Sequence, residues 1–179
     1  MKKIFLTTLL TSLLITSVHA GEPLGKIITE KGVEKIILVP SLTKYIEEEF
    51  SDYKVPSAPT ETDKSDPENP IIAGKLPGAM VNGDFNGDKN MDIALILESD
   101  SLPPLFVVFE SQANNKYYHV ILEVISAHIY LQEPKKIRTF GRNSSTINLK
   151  NDAITIIYGM AAALFYWDGK HYVKEWTSD

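Results

Sequence analysis

Asp84-Phe85-Asn86-Gly87-Asp88-Lys89-Asn90-Met91-Asp92-Ile93-Ala94-Leu95-Ile96-Leu97 decides the fold. The first part is polar and turn-forming, and the second is an apolar run of strand length. A loop that passes straight into a strand predicts a β-rich chain. Asp84, Asn86, Asp88 and Asp92 stand at positions 1, 3, 5 and 9 of the loop, and Asn90 at position 7 can offer its backbone carbonyl. Oxygen donors at this spacing suit a hard cation such as Ca2+, with water completing the shell. Gly87 permits the tight turn that lets neighbouring carboxylates converge. Crowded like charges repel, and a divalent cation converts that cost into binding. Magnesium is a poorer fit, because it takes fewer protein ligands and keeps its waters. The EF-hand pattern fails here: position 6 is Lys89, position 12 is Leu95, and a strand rather than a helix follows.

Downstream of this stretch the pattern stays β-dominated. Phe106–Phe109, Tyr117–Val124, Ile137–Phe140, Thr146–Leu149, Ala153–Tyr158 and Ala162–Trp167 read as strands. Ser111–Lys116 and Gly141–Ser144 read as turns. Phe165-Tyr166-Trp167 and His171-Tyr172-Val173 flank Asp168-Gly169-Lys170, which predicts a terminal aromatic hairpin with a primed two-residue turn or a slightly longer loop. Cross-strand aromatic pairs would hold it.

Upstream, Glu34–Val39 is a β-type run ended by Pro40. Ser41 then reads as a helix N-cap, and Leu42, Tyr45, Ile46 and Phe50 recur at helical spacing. Glu47-Glu48-Glu49 falls on the solvated side of this short amphipathic helix. Pro56–Pro70 is proline-rich and nearly free of apolar side chains, so it reads as a linker or extended surface segment.

The N-terminus reads as a secretory signal. Lys2 and Lys3 form its basic start, Ile4–Val18 its apolar core, and Val18-His19-Ala20 its cleavage site before Gly21. The apolar stretch is short for a membrane span, which needs about 20 residues. Residues 21–55 then supply the first strand and the helix, 56–70 the linker, and 71–179 the β-rich body, as parts of one globular domain. No cysteine occurs anywhere, so disulfides, thiol catalysis and cysteine-based zinc sites are excluded. The chain carries a formal charge of −5, and loss of Lys2 and Lys3 with the signal makes the remainder more acidic still. Arginine is confined to Arg138 and Arg142. Such a chain lacks the basic footprint for nucleic acid or an anionic membrane surface.

Gly83–Ala94 resembles the calcium loop of FG-GAP/VCBS repeats, which form β-propeller blades, as in integrin heads. That family places glycine where this chain has Lys89. Only one such loop is present, so a full propeller is not expected. Residues 41–179 are similar to small exported bacterial proteins that carry a single loop of this kind. In those proteins the helix and a Lys-x-Pro segment precede the loop, as Tyr53-Lys54-Val55-Pro56 does here. They end on an aromatic hairpin and a tail like Trp176-Thr177-Ser178-Asp179. The resemblance implies fold and metal but little about activity.

Catalytic motifs are absent from the sequence. His119, His128 and His171 show no zinc-binding spacing, and there is no Gly-x-Ser-x-Gly elbow and no phosphate-binding glycine loop. The expectation is therefore an α+β chain: a mainly antiparallel sheet, one N-terminal amphipathic helix and a C-terminal aromatic hairpin. As to function, it is an exported, monomeric, calcium-binding and non-catalytic binding protein of the periplasm or medium, with a protein partner in the envelope or outside the cell. Three rival readings are an inhibitor or immunity protein for a periplasmic or secreted hydrolase, a hydrolase with an unrecognised site, and an envelope structural or adhesion factor tethered by the Pro-rich segment.

Overall fold

Two apolar strands with no polar face have to be covered on both sides. In the computed structural model, which describes residues 21–61, 72–76, 78–124, 127–139, 145–159 and 161–177, that is how they are placed. The elements in chain order are β1 (Gly25–Glu30), β2 (Val33–Leu38), α1 (Pro40–Glu49), β3 (Met80–Gly83), β4 (Asp92–Leu97), β5 (Leu105–Gln112), β6 (Lys116–Val124), β7 (His128–Gln132), β8 (Lys136–Arg138), β9 (Thr146–Asn148), β10 (Ala153–Tyr158), β11 (Ala161–Trp167) and β12 (Tyr172–Thr177). One antiparallel sheet runs β3-β4-β5-β6, and a second runs β12-β11-β10-β7. Hairpins β1-β2 and β8-β9 complete the set. Every residue of β4 is buried, as are Leu105–Glu110 of β5.

The period-two alternation of a strand sorts these side chains between two cores. Ile93, Leu95 and Leu97 pair across the sheet with Phe109, Val107 and Leu105. All six join Leu24, Leu42, Ile46 and Phe50 in a core beneath the helix and the first hairpin. Ala94 and Ile96 pair with Val108 and Phe106. These four face the second sheet and meet Ile129, Ile154, Ile156 and Phe165, with Phe85 from the acidic loop. The architecture is thus a helix layer, a sheet and a second sheet. Full burial of each large apolar side chain contributes about 1.5–3 kcal/mol. The fold is the expected α+β arrangement with a mainly antiparallel sheet and a single helix, and the strands close no barrel or propeller. Among the described residues no helix is long and apolar enough to cross a membrane.

Helix α1 starts two residues earlier than its sequence suggests, with the N-cap at Val39 in place of Ser41. Pro40 occupies the first turn, where its missing N–H costs nothing and its fixed φ suits the helix. Val39 is the N-cap and makes no side-chain cap bond. Ser41 is therefore not the cap; its hydroxyl lies 2.8 Å from that of Tyr117 on β6. Leu42, Ile46 and Phe50 face the sheet, and Glu47–Glu49 are exposed as expected. Phe109 receives the edges of Tyr45 and Phe50 at 6.2 and 5.7 Å between ring centres. The Tyr45 hydroxyl lies 2.8 Å from His119 Nδ1, which gives this histidine a role in joining helix to sheet.

Only the second strand of the hairpin preceding the helix follows from the sequence pattern. The turn of this hairpin is Lys31-Gly32, both with positive φ (53° and 82°), between Glu30 and Val33, which pair directly. This is the left-handed geometry of a primed two-residue turn. Asn82 on β3 pins the hairpin from below. Its side-chain oxygen accepts the Leu24 and Gly25 N–H groups at 3.1 and 3.3 Å, and its amide donates to the Gly25 carbonyl at 3.0 Å. Asn82→Ala is expected to cost about 1–3 kcal/mol by leaving these partly buried backbone groups unpaired. Hydrogen exchange should report it as faster exchange in β1, with β10 and β11 unchanged.

Two further expectations become specific. The Pro-rich segment is bound to the body at its start: Pro56 is buried, Ser57 bridges Lys35, and the Pro59 carbonyl accepts the Gly74 N–H. Any free linker therefore starts after these contacts, and residues 62–70 lie outside the described set, as do the signal sequence, Phe140 and the Gly141–Ser144 turn. In the terminal hairpin, Trp167 pairs with Tyr172, so of the two expected forms it is the longer loop, Asp168–His171, that is present. One carboxylate oxygen of Asp168 accepts both the Lys170 and His171 N–H groups, closing the longer loop. Trp167 and Tyr172 meet edge to face at 5.2 Å across the strands.

Candidate metal centre

The acidic loop joins β3 to β4, antiparallel neighbours paired from Gly83↔Asp92 to Met80↔Leu95. Its ends are thus fixed side by side, and residues 84–91 form one compact turn. Phe85 is the apolar anchor: it is 1% exposed and sits in the core between the sheets. Polar side chains order the rest. Asp84 accepts the Gly87 N–H on Oδ1 (2.8 Å) and the Lys89 N–H on Oδ2 (3.1 Å). Asn86 Oδ1 accepts the Asp88 N–H at 2.9 Å, and Asp88 Oδ1 accepts the Asn90 N–H at 2.8 Å. The Asn90 side chain donates to Asp88 Oδ2 at 3.0 Å. A carboxylate oxygen has two lone pairs, so each of these retains accepting capacity.

Asp92 differs from the rest in being fully buried. Its Oδ2 accepts the Phe85 N–H at 3.1 Å, and its Oδ1 accepts the Ser111 N–H at 3.0 Å. It therefore ties the loop to the end of β5. Burial pushes its carboxyl up to about 7, helped by the nearby charges of Asp88 and Glu110 and opposed by the two N–H groups. Two acids with no motif to announce them join the neighbourhood. Asp152, before β10, accepts the Asp84 N–H at 3.0 Å. Glu110 accepts the Tyr172 hydroxyl at 3.0 Å, and burial followed by the charges of Glu110 and Asp92 raises that phenol strongly. Strand alternation could have flagged Glu110, a charge at an inward position of β5. Nothing in the spacing marks Asp152.

Asp84, Asp88, Asp92, Glu110 and Asp152 thus share one region, and among the described residues none forms an ion pair with Lys, Arg or His. Nor do any three acidic, histidine or cysteine side chains among the described residues already surround a common metal position. These facts describe different things. The first is a field of uncompensated charge; the second says that the carboxylates point to backbone donors and not to one centre. The donor chemistry suits a hard cation.

Gly87 and Lys89 both hold left-handed backbone within the loop. Gly87 has φ +80°, and a Cβ there would lie 2.5 Å from the Asn151 side-chain nitrogen, so both backbone and neighbour favour glycine. Lys89, where the resemblance places glycine, has φ +71°. That left-handed conformation costs a non-glycine residue roughly 1–2 kcal/mol, part of which glycine returns as chain entropy. Lys89→Gly is expected to raise stability by up to about 1 kcal/mol, read as a higher urea midpoint with an unchanged m-value.

The histidines have local roles. His119 bonds Tyr45, and the exposed His171 lies 3.5 Å from Asp168 inside the hairpin loop. No family model matches the chain, and neither a curated protein nor a solved structure is significantly similar to it.

Proposed function

We propose that this chain is an exported, monomeric calcium-binding protein that acts by binding in the periplasm or medium and not by catalysis. Asp84, Asn86, Asp88 and the Asn90 carbonyl hold the ion from the loop, and Asp92 is the inner carboxylate. The observation that carries the reading is the gathering of Asp84, Asp88, Asp92, Glu110 and Asp152 without a described cationic partner. Removing that repulsion is what a divalent cation supplies. The glycine-like φ of Lys89 supports the loop comparison from the backbone side. The ion's role is structural: it holds the β3–β4 connection against β5 and against the loop before β10. A partner in the envelope or outside the cell would then meet an ordered surface.

At about 1 mM calcium and a dissociation constant near 0.1 mM, mass action adds roughly 1.4 kcal/mol. For a chain of this size that corresponds to a rise in unfolding midpoint of roughly 3–6 °C. Thermal unfolding of residues 21–179 in EDTA, in a calcium titration and in magnesium tests it. The expected result is a saturable, calcium-selective rise that disappears in Asp88→Ala. An unchanged midpoint up to 10 mM calcium would overturn the reading.

A further inference from the structure

The acidic loop is also one wall of a cleft. Asn86 and Gly87 line it from that loop, together with Asn148–Asn151 and Tyr166–Gly169. The volume is about 470 Å³, within the range of small-ligand sites. Three chain segments far apart in sequence meet here: the β3–β4 loop, the β9–β10 connection and the tip of the β11–β12 hairpin.

The lining has an uncommon chemistry. Asn86, Asn148 and Asn151 bring side-chain amides, each able to donate and accept in one plane. Tyr166 and Trp167 bring aromatic surface with a polar edge. Asp168 brings a carboxylate held below its usual range by the His171 and Lys170 N–H groups, so it stays an acceptor. The walls are pre-set. Trp167 is braced by Tyr172 at 5.2 Å, and Tyr166 packs on the small core of Leu149, Ala153 and Leu164. The Asn151 amide lies against Gly87, whose missing side chain makes room for it. Preorganised groups lose little freedom on binding.

Amides that donate and accept together match vicinal hydroxyls, which do the same. Aromatic faces match the C–H face of a sugar ring. Among the described residues that line the cleft, Lys150 is the single cation, which is too little for a phosphate or a polyanion. The apolar wall is too small for a lipid chain or a large hydrophobic side chain. We infer that this cleft binds a short neutral saccharide, stacked on the aromatic end and hydrogen-bonded through Asn148 and Asn151. The inference deepens the reading of the chain as a binding protein by naming a ligand class. Because Asn86 and Gly87 belong to both sites, calcium that orders the loop also shapes the cleft.

Chemical-shift mapping on 15N-labelled residues 21–179 tests it, with maltotriose, cellotriose and chitotriose as probes at up to 20 mM, in calcium and in EDTA. The expected result is a saturable shift, with at least one sugar, of the Trp167 indole N–H and the Asn148 and Asn151 side-chain amides. Asn148→Ala, at an exposed position, should weaken binding several-fold with the rest of the spectrum unchanged. Asn151→Ala should weaken it about ten-fold. Silence of the cleft signals with all three sugars would overturn the proposal, as would shifts that survive both substitutions. Saturable binding of a neutral tripeptide in their place would overturn it too. The calcium reading is judged separately by its unfolding midpoint. A calcium-stabilised protein with a silent cleft discards the saccharide alone, and equal sugar binding in EDTA keeps the saccharide and uncouples it from the metal.

Discussion

Phe109→Ala is expected to destabilise the protein by about 3–5 kcal/mol, the largest effect of any single truncation outside the loop. Phe109 is fully buried on β5 and is paired with Ile93 across the sheet. It also receives the edges of Tyr45 and Phe50 from the helix side. Its ring is therefore the point where sheet and helix layer lock together. Removing it leaves a cavity walled by side chains on rigid elements, and such walls collapse poorly. Such a loss is a large share of a typical total of about 5–15 kcal/mol. Urea unfolding would measure it. Val108→Ala is the control on the opposite face of the same strand: its smaller side chain should cost less, and it should leave exchange in α1 unchanged. A cost below about 1 kcal/mol for Phe109→Ala would mean that the helix does not depend on this contact.

The second large effect is a pH dependence centred on Asp92. Its carboxyl titrates at about 7 when folded and at 3.8 by its ordinary value. Between those limits the folded chain holds a proton that the unfolded chain has released. Stability therefore is greatest below the unfolded value and falls as pH rises through about 7, then levels off. The full span is on the order of 4 kcal/mol, because each tenfold difference in proton affinity between the folded and unfolded chain is worth about 1.4 kcal/mol. Glu34, Glu123 and Asp168 work the other way. Backbone donors hold Asp168 down, a backbone donor and Lys75 hold Glu34 down, and Lys174 with Tyr158 holds Glu123 down in spite of burial. Their contribution is present above their unfolded values and is lost as pH falls through their lower folded values. Without a divalent cation, stability should therefore peak near pH 5. Asp92→Asn should remove the decline between pH 5 and 7, whatever constant cost its amide adds. Calcium, which favours the ionised carboxylate, should stabilise more at pH 7.5 than at pH 5. A flat profile from pH 5 to 7.5 in EDTA would contradict the burial argument.

The strands most plainly legible in the sequence are those set by burial on both faces. Ile93–Leu97 and Phe106–Phe109 read as strands because the apolar run is long and has a loop at each end. The lack of alternation in them corresponds to burial on both faces. β1 and β7 were not legible. GKIITE and HIYLQ each bury a single residue, Gly25 and Ile129, among exposed and half-buried ones, so their strand pairing comes from partners elsewhere in the chain, β2 and β10. The helix was legible from its spacing, but its cap was not. The Ser41 hydroxyl bonds a tyrosine in a distant strand, and local sequence does not carry that contact. In the loop, the residue types at positions 1, 3, 5 and 9 were plain. Unseen were the inward turn of Asp92 and the arrival of Asp152 and Glu110, because both are set by tertiary packing.

Burial of β4 and β5 on both faces also dictates an order of events during synthesis. The β1-β2 hairpin and α1 leave the ribosome first, yet the surface they cover includes Phe109, about 60 residues behind Phe50. At about 5–20 residues per second, that surface arrives roughly 3–12 s later. Until then Leu42, Ile46 and Phe50 have no place to dock, and an isolated ten-residue helix is marginal in water. Helix α1 consequently has no docking surface until β5 has been made. The delay follows from the order of the elements alone: the helix layer precedes in sequence the sheet that it covers.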